Sequence, residues 1–139
     1  MARMASRCCA ARGEMRSLLL FAVIAVAGCA QQEAPVVACA ALTQGCTLEP
    51  GKLFAKTDSM PTPLKPFALT VVAPTAQEVH VEWHMQGMEM GLNRYRLIRQ
   101  ANGEWRATLT LPVCVTGRRD WLMVIEVDGA RRALAFQTG

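Results

Sequence analysis

The sequence predicts an all-β fold, an immunoglobulin-like β-sandwich of about seven strands that follows an N-terminal signal segment. Three observations carry this reading. Four separate runs alternate apolar and polar residues with period two. Asn-Gly and Asp-Gly dipeptides stand between consecutive runs. From residue 46 onward no stretch shows the 3.6-residue periodicity of an amphipathic helix. The chain has 139 residues, 52% apolar and 19% charged, which is one domain's worth with enough apolar surface for a core. That composition excludes a disordered chain.

The first strand candidate is 52–57. In the next, Phe67, Leu69, Val71 and Ala73 form the inward stripe. Val79, Val81, Trp83 and Met85 follow, alternating with His80, Glu82, His84 and Gln86. Residues 94–101 and 104–111 flank Asn102-Gly103, with Trp105, Ala107, Leu109 and Leu111 inward. Residues 121–127 and 130–137 flank Asp128-Gly129. Both dipeptides suit two-residue type I′ turns, because each tolerates positive φ. Pro61, Pro63, Pro66, Pro74 and Pro112 fall at strand ends or edges, where a missing N–H is harmless. All three Trp fall on inward faces and read as core. A small open barrel is the alternative architecture for the same strands.

The N-terminus reads differently. Residues 1–17 are polar, with Arg3, Arg7, Arg12 and Arg16, and residues 18–28 are apolar. Eleven helical residues reach about 16 Å, roughly half a bilayer core, so the run is too short to span. A basic start, a short apolar core and small residues at the end make a secretory signal. Beyond residue 16 the chain carries eleven basic and ten acidic groups. A nearly neutral domain has no field to hold a phosphate backbone, so no nucleic-acid partner is expected.

Val26-Ala27-Gly28-Cys29 resembles the lipobox of bacterial lipoproteins. The resemblance implies removal of residues 1–28 and lipidation of Cys29 with diacylglyceryl and palmitate-type chains, which make the membrane a partner. It places the protein in the cell envelope, anchored by lipid and facing the periplasm. Ala30 is not the Asp that retains enteric lipoproteins in the inner membrane, which favours the outer membrane. Residues 29–45 then read as lipidated Cys and tether, and 46–139 as the sandwich.

Cys39, Cys46 and Cys114 remain in an oxidising compartment, where thiols pair. Cys39 and Cys46 can close a small loop across a Gly-containing turn. Cys46 and Cys114 can instead tie the start of the domain to a later strand. The first pairing leaves Cys114 as an inert thiol or a soft ligand.

No G-x-S-x-G, Gly-rich phosphate loop or H-E-x-x-H is present, and no enzyme is expected. The segment from His80 to Gly91 holds both His and three of the five Met that survive signal removal. Thioether and imidazole together suit copper. On one strand His80 and His84 stand about 13 Å apart, too far to share an ion. The candidate copper ligands are therefore His84, Met88 and Met90, where the chain turns at Gly87 and Gly91. Met85 faces the other way and reads as core. The same residues also fit a solvated sheet face with two apolar plugs. Arg94, Arg96 and Arg99 read as a solvated face that pairs with Glu82 or Glu89 across strands, and Arg118-Arg119-Asp120 as a turn with Asp120 capping amides.

The pattern W-x-M-x-G-M-x-M-G from Trp83 to Gly91 continues through Asn93-Arg94-Tyr95, Gly103-x-Trp105 and Leu111-Pro112-Val113-Cys114. It resembles the small periplasmic sandwich domains of the YtkA-like and FixH-type families over about 65–137. The resemblance implies copper supply to respiratory oxidases or a neighbouring copper-handling role, with Met88, Met90 and His84 as site residues. The chain departs from the pattern at Gln86, where Pro is common, and in its extra Cys39, Cys46 and Cys114. The alternative function is a metal-free interaction module that docks on an envelope membrane complex.

Overall fold

A computed structural model describes residues 34–85, 87, 88, 90, 91 and 93–138. The expected signal segment, Cys29, the first residues of the expected tether, Gln86, Glu89 and Leu92 lie outside the described residues. The period-two runs form two five-stranded sheets. One has the order β1 (Val36–Ala38), β10 (Ala130–Gln137), β9 (Asp120–Val127), β5 (Val79–His84), β6 (Arg94–Arg96). The other has β2 (Cys46–Glu49), β3 (Leu53–Thr57), β4 (Pro66–Val72), β8 (Trp105–Thr110), β7 (Ile98–Arg99). The expected β-sandwich is present. Within it, β3-β4-β8-β7 and β5-β9-β10 follow the two-sheet order of immunoglobulin-like domains.

Alternation in sequence becomes alternation in burial. Along β5, Val79, Val81 and Trp83 are buried, while His80, Glu82 and His84 are half-exposed. Trp83 lies between the sheets, edge-on to Phe67 of β4 at 5.7 Å and to Phe136 of β10 at 6.3 Å. Such contacts between aromatic rings add to the burial of their large apolar area. Trp105 and Trp121 are also buried, so all three inward assignments hold. Residues 32–139 form one compact unit, and among the described residues every buried core residue lies between Cys39 and Phe136. The unit therefore carries its own core, as a domain able to fold alone does.

Among the described residues there are ten strands where about seven were expected. The stretch 94–101 is not one strand. It divides at buried Leu97, whose amide donates to the Val79 carbonyl at 2.9 Å, and crosses from one sheet to the other. The adjacent apolar pair Leu97-Ile98 is where the alternation changes phase.

Residues 36–38, read from the sequence as tether, form a strand. Val36–Ala38 pairs in parallel with β10, the Cys39 amide donates to the Ala135 carbonyl at 2.8 Å, and Leu42 is fully buried. Three residues are too few to show a period, so this strand has no sequence signature. Cys39 and Cys46 are bonded, with Cα atoms 6.0 Å apart, which holds β2 beside the entry strand.

The two turns differ from each other. Asp128 and Gly129 both have positive φ, as a type I′ turn requires. At Asn102-Gly103 only Gly103 does. There the Gly103 amide donates to Gln100 at 2.9 Å and the Gln100 amide to Glu104 at 2.7 Å, which makes a three-residue loop. The Asn102 side chain accepts from the Glu104 amide at 3.1 Å and donates to its carboxylate at 2.9 Å, favouring the longer turn.

Candidate metal centre

The candidate ligands come from the end of β5 and the loop behind it. On the outer face of β5, Glu82 is a hub. Its carboxylate accepts from Arg131 at 2.7 Å, meets the His84 ring Nε2 at 3.1 Å and lies 3.8 Å from Arg94. Arg94 also donates to Glu126 at 2.9 Å. Strand register explains the cluster: Glu82 pairs with Arg94 on β6, and Glu126 of β9 pairs with Arg131 on β10. The expected cross-strand ion pair of Glu82 is present. His80 has a different neighbour, Glu78, at 3.6 Å. The two His rings thus belong to separate carboxylates.

Past His84 the chain turns back on itself. Met85 is buried in the core as expected, and the Met88 amide donates to its carbonyl at 3.1 Å. Gly87, at φ 75°, supplies the left-handed backbone that this tight return requires. Asn93 closes the loop. It stands one step beyond the Glu82–Arg94 pair, opposite Trp83, and its side chain replaces strand backbone. Its Oδ1 accepts from the Trp83 amide at 2.6 Å and its Nδ2 donates to the Trp83 carbonyl at 2.9 Å. Met88 and Met90, both half-buried, pack against the core from this loop.

A sulfur in contact with Met88 comes from another loop. Cys114, a free thiol between β8 and β9, donates to the Met88 Sδ at 3.8 Å. The Thr116 hydroxyl stands 3.0 Å from the same Sγ. That hydroxyl, with the backbone amides of Thr116 and Arg118 and the Arg118 charge, holds the thiol below the ordinary cysteine range, against the opposing effect of partial burial. Arg118 is kept in place by Asp120, which accepts from its Nε at 2.9 Å. Asp120 was expected to cap backbone amides. Its carboxylate instead takes the guanidinium two residues away, because Asp120 already belongs to β9.

The sulfur separation has chemical meaning. Metal–sulfur bonds of about 2.3 Å in a tetrahedral ion put two donors about 3.8 Å apart. The Met88–Cys114 pair therefore already has the spacing of one edge of such an ion. An ion there would take the place of the thiol proton. Met90 is a further soft donor on the same loop as Met88, whereas His84 would first have to leave Glu82. Among the described residues no group of three or more His, Cys, Asp or Glu converges, so a cage of hard or imidazole ligands is not formed. Sequence reasoning left Cys114 as a partner for Cys46, an inert thiol or a soft ligand, and did not join it to Met88. Its partner, 26 residues away on another loop, follows from tertiary packing.

In comparisons with known proteins, no family model, no characterised protein and no solved structure matches this chain.

Proposed function

We propose that this chain is a lipid-anchored protein of the bacterial envelope that binds Cu(I) through Met88 and Cys114, with Met90 as the third donor. The observation that carries the proposal is the 3.8 Å contact between the two sulfurs. Thiolate and thioether are soft donors, and they select Cu(I) over harder divalent ions. The lowered thiol favours the thiolate that a metal needs. The lipobox-like Val26-Ala27-Gly28-Cys29 supports the anchor and the periplasmic address. A copper-holding domain on a tether suits delivery to a neighbouring envelope protein.

The test loads residues 32–139 with Cu(I) under reducing conditions against a competing chelator. Wild type is expected to retain one equivalent. Met88→Ala and Cys114→Ser each lower the affinity at least tenfold, the ~1.4 kcal/mol that one lost sulfur ligand should exceed. His84→Ala leaves it unchanged, since that ring belongs to Glu82. Negligible retention by the wild type would overturn the proposal. The anchor is tested separately, by mass spectrometry of the mature N-terminus and by Cys29→Ser, which should block processing.

A further inference from the structure

The β8–β9 loop is apolar where a surface loop is ordinarily polar. Val115 is 93% exposed and Val113 53%, on either side of Cys114. The adjoining β3–β4 connection adds Leu64, 70% exposed, whose amide donates to the Leu111 carbonyl at 3.2 Å and so lies beside the end of β8. Leu64 is held at φ 63°, a left-handed conformation that disfavours a branched apolar residue. Two cations border these aliphatics. Lys65 and Arg119 have no ion-pair partner among the described residues, in a domain where most Arg side chains do. Protruding aliphatic side chains flanked by two cations suit the surface of an anionic bilayer, with acyl chains below and phosphates at the boundary.

We propose that this pole of the sandwich, carrying Leu64, Lys65, Val113, Val115 and Arg119, docks on an anionic phospholipid surface. Docking sets the Met88–Cys114 pair at the lipid–water boundary, so a copper acceptor would be a membrane-embedded protein. Only this last consequence rests on the function proposed above. The patch itself does not.

The test uses residues 32–139 without lipid or copper, and vesicles of phosphatidylglycerol and phosphatidylcholine against phosphatidylcholine alone. Cosedimentation is expected with the anionic vesicles only, weakening as salt rises. One unit of charge near such a surface is worth about fivefold in partitioning, so Arg119→Glu lowers it roughly 25-fold. Val115→Asp lowers it at least ~10-fold through loss of the inserted aliphatic and addition of a negative charge. Unchanged thermal melting shows that either variant still folds. Absent vesicle binding, or binding unaffected by both substitutions, overturns the proposal. So does a concentration-dependent dimer that Val115→Asp dissolves while vesicles are ignored. Lipidation of Cys29 is read by mass spectrometry and copper retention by chelator competition, so failure of either leaves the vesicle result to be judged alone.

Discussion

Replacing Asn93 tests whether the sulfur-bearing loop is held by one side chain. Asn93→Ala removes two hydrogen bonds to the Trp83 backbone, at 2.6 and 2.9 Å. Each is worth about 1 kcal/mol net, and the Trp83 amide and carbonyl, only partly open to water, add a share of their desolvation cost. The expected loss is about 2–3 kcal/mol in urea unfolding, with an unchanged m-value. Asn93→Asp separates hydrogen bonding from packing. It keeps the acceptor for the Trp83 amide but turns a carboxylate oxygen towards the Trp83 carbonyl. That contact favours the protonated acid, which can donate, so the folded-state pKa rises above the unfolded value near ~3.9. The variant's advantage over Asn93→Ala is therefore full below about pH 4 and is lost as pH rises through the folded pKa. Copper affinity should follow loop order, with Asn93→Ala about tenfold weaker than wild type, because the Met88 sulfur no longer waits beside Cys114. A loss in stability below ~0.5 kcal/mol would refute the clamp, since that is less than one ordinary hydrogen bond.

Two further outcomes test the surroundings of the site and the entry loop. Thr116→Val removes the hydroxyl 3.0 Å from the Cys114 sulfur and should raise the thiol towards its ordinary range. Iodoacetamide labelling of this thiol, the one free Cys among the described residues, then shifts to higher pH, and an unchanged profile would remove Thr116 as the cause. Gly45→Ala should cost about 2–5 kcal/mol, combining a left-handed backbone with overpacking. Gly45 sits at φ 94°, and a Cβ there would run into the Phe54 ring. Thermal melting with the disulfide intact measures it, and a shift under ~1 kcal/mol would mean that the Phe54 ring swings aside freely.

Much of the fold was legible because burial in a sandwich has the period of the strand. Phe67, Leu69 and Val71 are buried on one strand and Val79, Val81 and Trp83 on the next, as alternation alone required. Legibility failed where the signal is not periodic. Val36–Ala38 is too short, and its place is set by pairing with β10 and by the covalent link between Cys39 and Cys46. Leu97 switches sheets, a long-range event that appears in the sequence only as a phase slip. Asn102-Gly103 and Asp128-Gly129 suggested the same turn. The side-chain bonds of Asn102 to Glu104 distinguish one, and the Asp128 carboxylate accepting from the Gln77 and Glu78 amides at 3.0 and 2.8 Å ties the other to the β4–β5 connection.

The candidate site divides along the same line. Residue type and local spacing were enough to single out the loop with Met88 and Met90, because soft donors next to Gly turns are a one-dimensional pattern. They were also enough to place His84 on the outer face of its strand. Only the folded chain decided that His84 turns to Glu82 and that Met88 meets Cys114. Those choices depend on which strands are neighbours and which loops share a pole, and pairwise contacts between distant segments leave no local trace in the sequence.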